Sequence, residues 1–309
     1  MSSPPLDARQ TAARLPYATL VQEIAAVLAD TRVVVPERLV QALPGGGSLF
    51  VMPALDGRIA ITKLITFTPA NARTSSEGVQ RPTIQGDVVV FDIATGQRML
   101  ILDGPTVTAR RTAAVSLLAA QRMAPAPDGP LLIVGAGAQG RAHLEAFAEG
   151  LPLKQVVVAS RSAASAEALA AHARALGLLA SVATDADAAL ARCPLVVTCT
   201  PANGVVLSGP SRADAFIAAV GAFTPQMVEL SPALCRHCAE HGGVVVDTVD
   251  ARHEAGDLLQ ALLEVEGFAT LRDVIHGGRP LRPGPVLFKS CGWAGWDLAA
   301  ARAALSFLG

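Results

Sequence analysis

Residues 131–147, LLIVGAGAQGRAHLEAF, carry the pattern that decides the fold of this chain. An apolar run leads directly into Gly135, Gly137 and Gly140 in G-x-G-x-x-G spacing, and a helical pattern follows. The first glycine permits a tight turn, the second lets the backbone approach a pyrophosphate, and the third lets the helix pack closely on the strand. Strand, glycines, helix and a second strand occur in the order that a dinucleotide site requires, so the stretch predicts such a site. The alternative is an ordinary glycine-rich turn.

From this stretch onward the chain alternates between short apolar strands and helical segments. Uninterrupted apolar strands are typical of a parallel sheet that helices cover on both faces. The predicted strands are LLIVGAG, QVVVASR, ASVAT, LVVTCT, AFIAAVGA and GVVVDTV. They predict an α/β fold in which this part of the chain forms a doubly wound parallel sheet of the Rossmann type.

The preceding region has a different pattern. Residues 15–30 fit an amphipathic helix, residues 33–102 read as strands that end in a hairpin, and a helix is expected over 106–124. The Pro-rich segment APAPDGP, 124–130, is the best linker candidate. A last helix after Gly292 is expected to return to this first region. At 309 residues the chain is long for a single core, which also indicates two domains.

Composition argues against several classes of protein. The net charge of −1 creates no long-range field for nucleic acid or anionic lipid, and the aromatic share of 4% disfavours a base-stacking surface. No apolar run approaches the ~20 residues of a membrane helix, and the N-terminus lacks the pattern of a secretory signal. Five cysteines in a chain of this length are not a disulfide framework. We expect a soluble, cytoplasmic protein without a nucleic-acid, membrane or metal partner.

The second predicted strand of the Rossmann region ends in VVVASRS, which bears on the cofactor. An NAD enzyme is expected to place Asp or Glu there, where a carboxylate binds the ribose 2′-hydroxyl. This chain instead has Ser160, Arg161 and Ser162. A guanidinium flanked by hydroxyls suits a 2′-phosphate, so the predicted cofactor is NADP(H). The alternative is a surface arginine just past a strand end.

In the first region, GRIAITKLITFTP at residues 57–69 places a lysine on an apolar face. The stretch alternates with period two, and Lys63 shares its face with Ile59, Ile61 and Ile65. Only three of the 25 lysine and arginine residues are lysines, so this chain rarely uses lysine even on its surface. Either this lysine extends its ammonium to water, or it is buried as a cation for an anionic substrate.

Arg110 and Arg111 in TVTARRTAAVS favour the second alternative. They are expected at the start of a helix, where positive charge is unfavourable, so one of them is expected to turn inward. Because arginine holds a carboxylate bidentately, Lys63 and an inward arginine would fix a small anionic acid beside the nicotinamide.

The combination of MPAL…ITKLITF, PTIQG, TARRTAAVS, VGAGAQG and LFKSCGWAGWDL resembles the ornithine cyclodeaminase/μ-crystallin family. The likeness runs from about residue 35 to the C-terminal helix. It implies a discontinuous α+β domain that binds substrate and forms a homodimer, together with the cofactor-binding Rossmann domain. We assign residues 1–123 and 291–309 to the first domain and residues 124–290 to the second.

The resemblance also implies roles for particular residues, which join those assigned directly from the glycine pattern, from the end of VVVASRS and from Phe223. Substrate contacts are expected from Arg38, Lys63, Thr83, Arg111, Phe223 and Ser290, of which Lys63 and Arg111 are the catalytic candidates. Cofactor contacts are expected from Thr112, Gly135, Ala136, Gly137, Ala138, Gln139, Gly140, Ser160, Arg161, Ser162 and Thr200. Thr112 matches a phosphate contact of the family, and Thr200 and Ser290 fall where the family lines the nicotinamide pocket.

One position departs from part of the family. Cyclodeaminases and the related alanine dehydrogenases carry an aspartate for proton transfer after a G-G-D or G-A-D turn, where this chain has Phe223 in AVGAFTPQMVEL. A phenyl ring cannot act as an acid or base, so ornithine cyclisation is disfavoured. GAFTP and LDGPTVTARRTAAVS are more similar to the bacterial branch that reduces Δ1-pyrroline-2-carboxylate to L-proline and Δ1-piperideine-2-carboxylate to L-pipecolate. The predicted function is therefore NADPH-dependent reduction of a small anionic cyclic ketimine.

The predicted reaction leaves the proton source and two rival functions open. The imine nitrogen can arrive protonated, or Lys63 can deliver the proton if burial lowers its pKa. The first rival is an ornithine cyclodeaminase or NAD-dependent amino-acid dehydrogenase of the same family, against which Arg161 and Phe223 argue. The second is a μ-crystallin-like protein that holds NADPH and a small ligand, against which the presence of Lys63 and Arg111 argues.

Two further clusters have simpler interpretations. Cys235 and Cys238 in CRHCAEH resemble a metal or redox pair, but no second pair follows at zinc-ligand spacing, so buried small side chains are favoured. The acidic cluster at 247–254, which begins with Asp247, is expected to cap and solvate the next helix. Its alternative is a place in the ligand crevice at the strand ends.

Overall fold

The structure, a computed structural model, contains two compact units. It describes residues 4–44, 46–72, 81–201, 203–277 and 281–307. The first unit consists of Met1–Arg111 and Trp293–Gly309, and the second of Thr112–Gly292. The units divide at residue 112, inside a helix, and at residue 293, whereas the domain boundaries expected from the sequence are residues 124 and 291.

The first unit is built on an antiparallel sheet with the strand order β1-β2-β3-β4-β5. Its strands are β1 (Leu39–Ala42), β2 (Ser48–Leu55), β3 (Ile59–Phe67), β4 (Ile84–Asp92) and β5 (Arg98–Asp103). Its helices before the division are α1 (Ala8–Ala13), α2 (Tyr17–Ala29) and the beginning of α3 (Gly104–Met123). Strands β4 and β5 form the predicted hairpin, and its turn includes Ala94 and Thr95.

Strand β3 has one buried face, as its period-two pattern predicts. Ile61, Lys63 and Ile65 are buried, whereas Leu64 on the opposite face is exposed. Successive side chains along a strand lie on opposite faces. Lys63 therefore shares a face with apolar residues, and it is buried because burial of these residues places that whole face in the interior.

The second unit is built on a parallel sheet with the strand order β14-β13-β15-β11-β9-β6-β7-β8. The strands of this unit, including the separate parallel pair β10-β12, are β6 (Leu131–Val134), β7 (Gln155–Ala159), β8 (Leu179–Val182), β9 (Leu195–Thr198), β10 (Asn203–Leu207), β11 (Phe216–Ala219), β12 (Val228–Leu230), β13 (Gly243–Val246), β14 (Ala269–Thr270) and β15 (Val286–Lys289). The helices are α4 (Ala138–Gly150), α5 (Ala163–Ala175), α6 (Ala186–Leu190), α7 (Pro232–His241), α8 (Ala251–Glu254), α9 (Gly256–Gln260) and α10 (Leu271–Ile275). Within the described ranges, no helix combines the length and the apolar character that a bilayer crossing demands.

The order of the strands locates the place where a ligand is expected in this unit. All six predicted strands form, as β6, β7, β8, β9, β11 and β13, and β15 is inserted between β11 and β13. From β6 the chain moves outward to β7 and β8, then returns to β9 on the other side of β6 and continues to β11. Such a reversal opens a crevice outside the carboxyl ends of the two central strands. The glycine pattern follows β6, and Thr200 follows β9.

The last helix, α11 (Ala294–Leu305), belongs to the first unit and packs against α2, β2 and β3. Its many alanines are buried and allow a close approach to the sheet. Arg302 anchors the helix, because its Nη2 donates to Asp30 Oδ2 at 2.7 Å and its Nε donates to Asp56 Oδ2 at 2.6 Å. This return confirms the expected fold class, a Rossmann sheet plus a discontinuous α+β region.

Candidate active site

A cluster of charged side chains inside the first unit is centred on Lys63. This residue lies in the middle of β3, opposite Met52 on β2 and Val88 on β4. Its side chain is only 1% exposed, so the ammonium does not extend to water as a surface lysine does. Burial of an ammonium costs several kcal/mol unless a partner meets it, so the charge requires an anion nearby.

Asp297 is that anion. Lys63 Nζ donates a hydrogen bond to Asp297 Oδ1 at 3.2 Å, and Arg111 Nε lies 3.3 Å from the same oxygen. Asp297 is fully buried in the first turn of α11. This internal carboxylate was not predicted, because the sequence led us to expect a ligand as the partner of Lys63. The sequence feature that could have identified Asp297 is its place as the single acidic residue in the alanine-rich stretch WAGWDLAAARAAL.

The surroundings of Lys63 act on its pKa in opposite directions. Burial has the largest influence and lowers the pKa of Lys63, Asp297 raises it, and Arg111 and Arg38 lower it further. The net effect lowers the pKa of Lys63 to about 8. The ammonium is therefore mostly charged at neutral pH, yet it releases its proton more readily than an ordinary lysine.

The two arginines of α3 lie in different environments. Arg111 is buried beside Asp297, so one arginine of the pair does turn inward. Arg110 Nε donates instead to the carbonyl oxygen of Leu15 at 2.8 Å, and its guanidinium lies 4.0 Å over the centre of the Tyr17 ring. The prediction that these two arginines lie at the start of the helix is wrong. Helix α3 begins at Gly104, six residues before Arg110, so both arginines come after its first turn.

Arg38 and Thr83 lie just before β1 and β4, respectively, and both are half-buried. The charge of Arg38 acts on Lys63, which places this arginine near the cluster. The carbonyl oxygen of Thr83 accepts a hydrogen bond from the amide of Thr68 at 2.8 Å, so it ties the segment before β4 to the end of β3. The structure therefore joins Lys63, Arg111 and Arg38, and substrate contacts by these residues and Thr83 remain predictions.

In the second unit, the glycine pattern forms the turn from β6 into α4, with Ala136 and Ala138 between the glycines. Gly135 has a φ of +113°, a left-handed conformation that favours glycine. A Cβ on Gly140 would lie 2.0 Å from the carbonyl oxygen of Gly135, so this glycine permits the close packing of α4. A Cβ on Gly137, the N-cap residue of α4, would meet nothing within 4 Å. Open space at a helix N-terminus is what a pyrophosphate needs, so the turn fits a dinucleotide.

The end of β7 presents Ser160, Arg161 and Ser162. The hydroxyl of Ser162 caps α5, because it accepts a hydrogen bond from the amide of Ser165 at 3.2 Å. Ser160 Oγ accepts from the amide of Ser162 at 3.4 Å. The side chain of Arg161 is exposed at the carboxyl edge of the sheet. Ser162 therefore has a structural role at the helix start, and Arg161 is accessible to a phosphate.

Glu229, on β12, joins the segments that follow β9 and β11. Its Oε1 accepts hydrogen bonds from the amide and the hydroxyl of Thr200, and its Oε2 accepts one from the amide of Gly221 at 2.7 Å. Glu229 is fully buried, and burial raises the pKa of its carboxyl. Thr200, a predicted cofactor contact, is therefore held in one orientation. The sequence analysis did not predict a role for Glu229. The feature that could have identified it is an acidic residue between two apolar residues in a short strand.

Asp257 and Lys289 extend the network around Glu229, and neither was predicted. Asp257 Oδ1 accepts from the amides of Glu229 at 2.6 Å and Leu230 at 2.9 Å. Asp257 Oδ2 lies 2.7 Å from Lys289 Nζ, which also donates to the carbonyl oxygen of Ala222 at 2.5 Å. Burial alone lowers the pKa of Lys289, but Asp257 and Glu229 raise it overall, so the lysine stays charged. The loop after β11 is thus held at two successive residues.

Asp247, at the end of β13, organises the segment that contains Ser290. Its Oδ2 accepts hydrogen bonds from the Ser290 hydroxyl at 2.8 Å and from the amides of Cys291 at 3.0 Å and Gly292 at 2.8 Å. The expectation that the cluster at 247–254 caps and solvates the next helix is wrong for Asp247, which is buried and bonded elsewhere. Its position at a strand carboxyl end agrees with the alternative interpretation.

Phe223 and Thr112 are the remaining predicted contacts, and both lie in the second unit. Phe223 is half-buried in the loop after β11 and packs against the apolar core of the second unit. Thr112 is buried on α3. The proposed contacts of Phe223 with substrate and of Thr112 with a cofactor phosphate remain predictions.

The buried histidine and cysteines of the second unit have structural surroundings. His143 Nδ1 lies 2.8 Å from the carbonyl oxygen of Gln139, its Nε2 lies 3.0 Å from Ser116 Oγ, and burial lowers its pKa to about 4. Cys235 and Cys238 are buried, and burial raises the pKa of Cys238 to about 12. In the part of the chain that the structure describes, no three His, Cys, Asp or Glu side chains are arranged to hold a metal ion.

Comparison with protein families gives a match over nearly the whole chain. The model of the ornithine cyclodeaminase/mu-crystallin family matches residues 20–305. A Δ1-pyrroline-2-carboxylate reductase of Burkholderia ambifaria is 39% identical over 97% of this chain and 94% of its own length. A Δ1-pyrroline-2-carboxylate/Δ1-piperideine-2-carboxylate reductase of Azospirillum brasilense is 40% identical over 97% of this chain and 94% of its own. The ketimine reductase mu-crystallin of Mus musculus is 34% identical over 83% of this chain and 79% of its own.

Solved structures with low sequence identity share the fold. The Δ1-pyrroline-2-carboxylate reductase of Thermococcus litoralis, in complex with NADH and L-proline, has a TM-score of 0.83 at 22% identity and covers 97% of this chain and 93% of its own. An archaeal alanine dehydrogenase dimer with bound NAD has a TM-score of 0.84 at 23% identity. The match covers 96% of this chain and 93% of the dehydrogenase chain. These likenesses confirm the expected combination of a Rossmann sheet with a second α+β region.

Proposed function

Because this chain belongs to the ornithine cyclodeaminase/mu-crystallin family, we propose that it is an NADPH-dependent reductase of cyclic ketimines. The substrates are Δ1-pyrroline-2-carboxylate, which gives L-proline, and Δ1-piperideine-2-carboxylate, which gives L-pipecolate. The names of the Burkholderia and Azospirillum relatives, which match almost the full length of the chain, support this assignment.

The main support for this proposal is the net positive charge of the buried cluster around Lys63. Lys63 and Arg111 share the carboxylate of Asp297, and Arg38 adds a further positive charge. Among the described charges that act on Lys63, cations therefore outnumber carboxylates. Excess positive charge in an interior of low dielectric favours a small anion, and the carboxylate of a ketimine supplies it.

The reduction converts the C=N bond of the ketimine into CH–NH by adding a hydride to carbon and a proton to nitrogen. When bound, the reduced nicotinamide supplies the hydride and becomes oxidised. Lys63 and Arg111 hold the substrate carboxylate, and such positioning supplies much of the rate. The Lys63 ammonium gives its proton to the imine nitrogen and is recharged from solvent, which its pKa of about 8 supports.

Phe223 distinguishes this activity from the cyclodeaminase branch of the family. A phenyl ring at this position offers no acid or base for ornithine cyclisation and ammonia loss. It provides an apolar wall that excludes water from an imine that water would hydrolyse. The hydrogen bonds that hold the loop after β11 at Gly221 and Ala222 support a fixed place for this ring.

NADPH is the cofactor that the second unit fits. The glycine turn between β6 and α4 accommodates a pyrophosphate, and Thr200 and Ser290 contribute to the nicotinamide site. The exposed Arg161, with Ser160 beside it, binds the 2′-phosphate that distinguishes NADPH from NADH.

We also propose that the protein acts as a homodimer in the cytoplasm. Strand β1 is exposed along its length at the edge of the first sheet, and Leu39 and Val40 on it are more than half exposed. An exposed edge strand with apolar side chains is a surface for pairing with a second copy. The free, buried cysteines agree with a reducing compartment.

The proposal is tested by following NADPH oxidation with each of the two cyclic ketimines. We expect oxidation with both ketimines, faster with NADPH than with NADH, and no ammonia release from L-ornithine. Oxidation that requires NADH, or ammonia release from ornithine, would overturn the assignment. Light scattering of the purified protein tests the dimer independently.

A further inference from the structure

Asp297 is a buried charge whose purpose the proposed reduction leaves unexplained. Its Oδ1 accepts a hydrogen bond from Lys63 Nζ at 3.2 Å and lies 3.3 Å from Arg111 Nε. We propose that Asp297 is a positioning residue that keeps the Lys63 ammonium charged and oriented before substrate binds. This inference rests on the proposed function, because it acts through the lysine assigned to the ketimine carboxylate.

A helix-capping role does not account for Asp297. The N-cap residue of α11 is Trp293, and no side chain makes a capping hydrogen bond to this helix. Asp297 Oδ2 has no hydrogen-bond partner among the residues that the structure describes. A carboxylate whose contacts are two cations serves as their counterion.

The groups that face Lys63 show why this counterion matters. The neighbouring strands β2 and β4 place apolar Met52 and Val88 opposite it. The charged groups are Asp297 from α11, Arg111 from α3 and Arg38 from the segment before β1. Burial and both arginines favour the neutral amine, and Asp297 opposes them.

The loss of the Asp297 charge therefore changes what Lys63 can do. Without it, Lys63 becomes a neutral amine near pH 7, which binds a carboxylate weakly and has no proton to give. An Asp297→Asn variant should resemble a lysine-deficient enzyme although Lys63 is still present. Its pH optimum for kcat/KM should move to lower pH, whereas a merely structural defect would reduce activity without moving the profile.

Lysine titration by NMR tests the inference directly. The chain contains Lys63, Lys154 and Lys289 as its only lysines, so labelling lysine with carbon-13 at Cε gives three signals from the full-length protein. The Asp297→Asn substitution should lower the pKa of Lys63 by about 1–3. Exposed Lys154 and the Asp257-paired Lys289 serve as internal controls and should not move. Asp297→Glu keeps the charge and should restore most of the native titration.

An unchanged Lys63 titration in folded Asp297→Asn protein would overturn the inference. If that variant does not fold, adding Lys63→Met and Arg111→Met decides the matter, because these two substitutions remove both cations that Asp297 neutralises and should restore folding. A triple variant that still does not fold, where Lys63→Met and Arg111→Met each fold alone, also contradicts the inference. The titration needs neither substrate nor cofactor, so a shifted Lys63 signal with no ketimine reduction would overturn the proposed reaction and leave the role of Asp297 in setting the lysine charge.

Discussion

Glu229 Oε1 accepts two hydrogen bonds from Thr200, one from its amide at 2.6 Å and one from its hydroxyl at 3.0 Å. The other carboxylate oxygen accepts from the amide of Gly221, so both oxygens of one buried side chain act as acceptors. Strand β9, which leads to Thr200, lies beside β6, which leads to the glycine turn. The contact therefore controls a loop at the crevice where we place the nicotinamide.

Glu229→Gln should weaken both folding and cofactor use. An amide presents an NH2 group to one of the backbone donors, so at least one buried hydrogen bond is lost at a cost of about 1–3 kcal/mol. We expect the free energy of unfolding in urea to fall by that amount and the KM for NADPH to rise. Glu266→Gln, at an exposed position, is the matched control. Wild-type values for both quantities would show that the carboxylate has no such role.

Lys63→Ala should reduce kcat/KM for the ketimine by about 100-fold or more, because it removes both a carboxylate contact and the proposed proton donor. Binding of NADPH, measured by fluorescence titration, should be unchanged. Lys154→Ala removes an exposed lysine and should retain wild-type kinetics. Equal kinetics in the two variants would mean that Lys63 is only structural.

Lys63 also predicts how the free energy of unfolding depends on pH. Its pKa is about 8 in the folded protein, against 10.5 for an ordinary lysine. Between these values the unfolded chain binds more protons than the folded one, so stability rises with pH, by about 2–3 kcal/mol between about pH 7 and 10. Denaturation of wild type and Lys63→Met across this range should show wild type gaining relative to the variant. A constant difference would contradict the lowered pKa.

Two glycines of the β6–α4 turn should respond differently to alanine. Gly137→Ala places its methyl group in open space, so it should keep its stability but weaken NADPH binding by occupying the cofactor's place. Gly140→Ala places a methyl group 2.0 Å from a carbonyl oxygen and should lower the Tm as well. Calorimetry and cofactor titration of both variants separate the effects. Normal NADPH binding by Gly137→Ala would rule out a pyrophosphate at this turn.

Arg161→Ala should lose the preference for NADPH. Loss of a hydrogen-bonded charge contact with the 2′-phosphate corresponds to about 1.5–3 kcal/mol, or roughly a 10- to 100-fold rise in KM for NADPH. The KM for NADH should stay constant, because that cofactor has no phosphate to lose. Arg122→Ala removes an exposed arginine elsewhere in the second unit and serves as control. A parallel change for both cofactors would argue against 2′-phosphate recognition.

Much of the fold followed from patterns that are local in the chain. Buried parallel strands read as continuous apolar runs, and the spacing of Gly135, Gly137 and Gly140 after such a run predicted the turn that the structure contains. Period-two alternation along β3 placed Lys63 on the buried face. These features depend on backbone geometry and on neighbours a few residues apart, which a single sequence displays directly.

The partners of the buried charges came from the tertiary structure alone. Asp297 lies 234 residues from Lys63, and Glu229, Asp257 and Lys289 meet from separate strands and helices. No local period encodes such pairs, because each charge is tolerated only where folding brings a distant group of opposite sign or a hydrogen-bond donor to it. The sequence placed Lys63 on an apolar face and favoured its burial, and the packing of α11 on β3 decided that it would be buried beside a carboxylate.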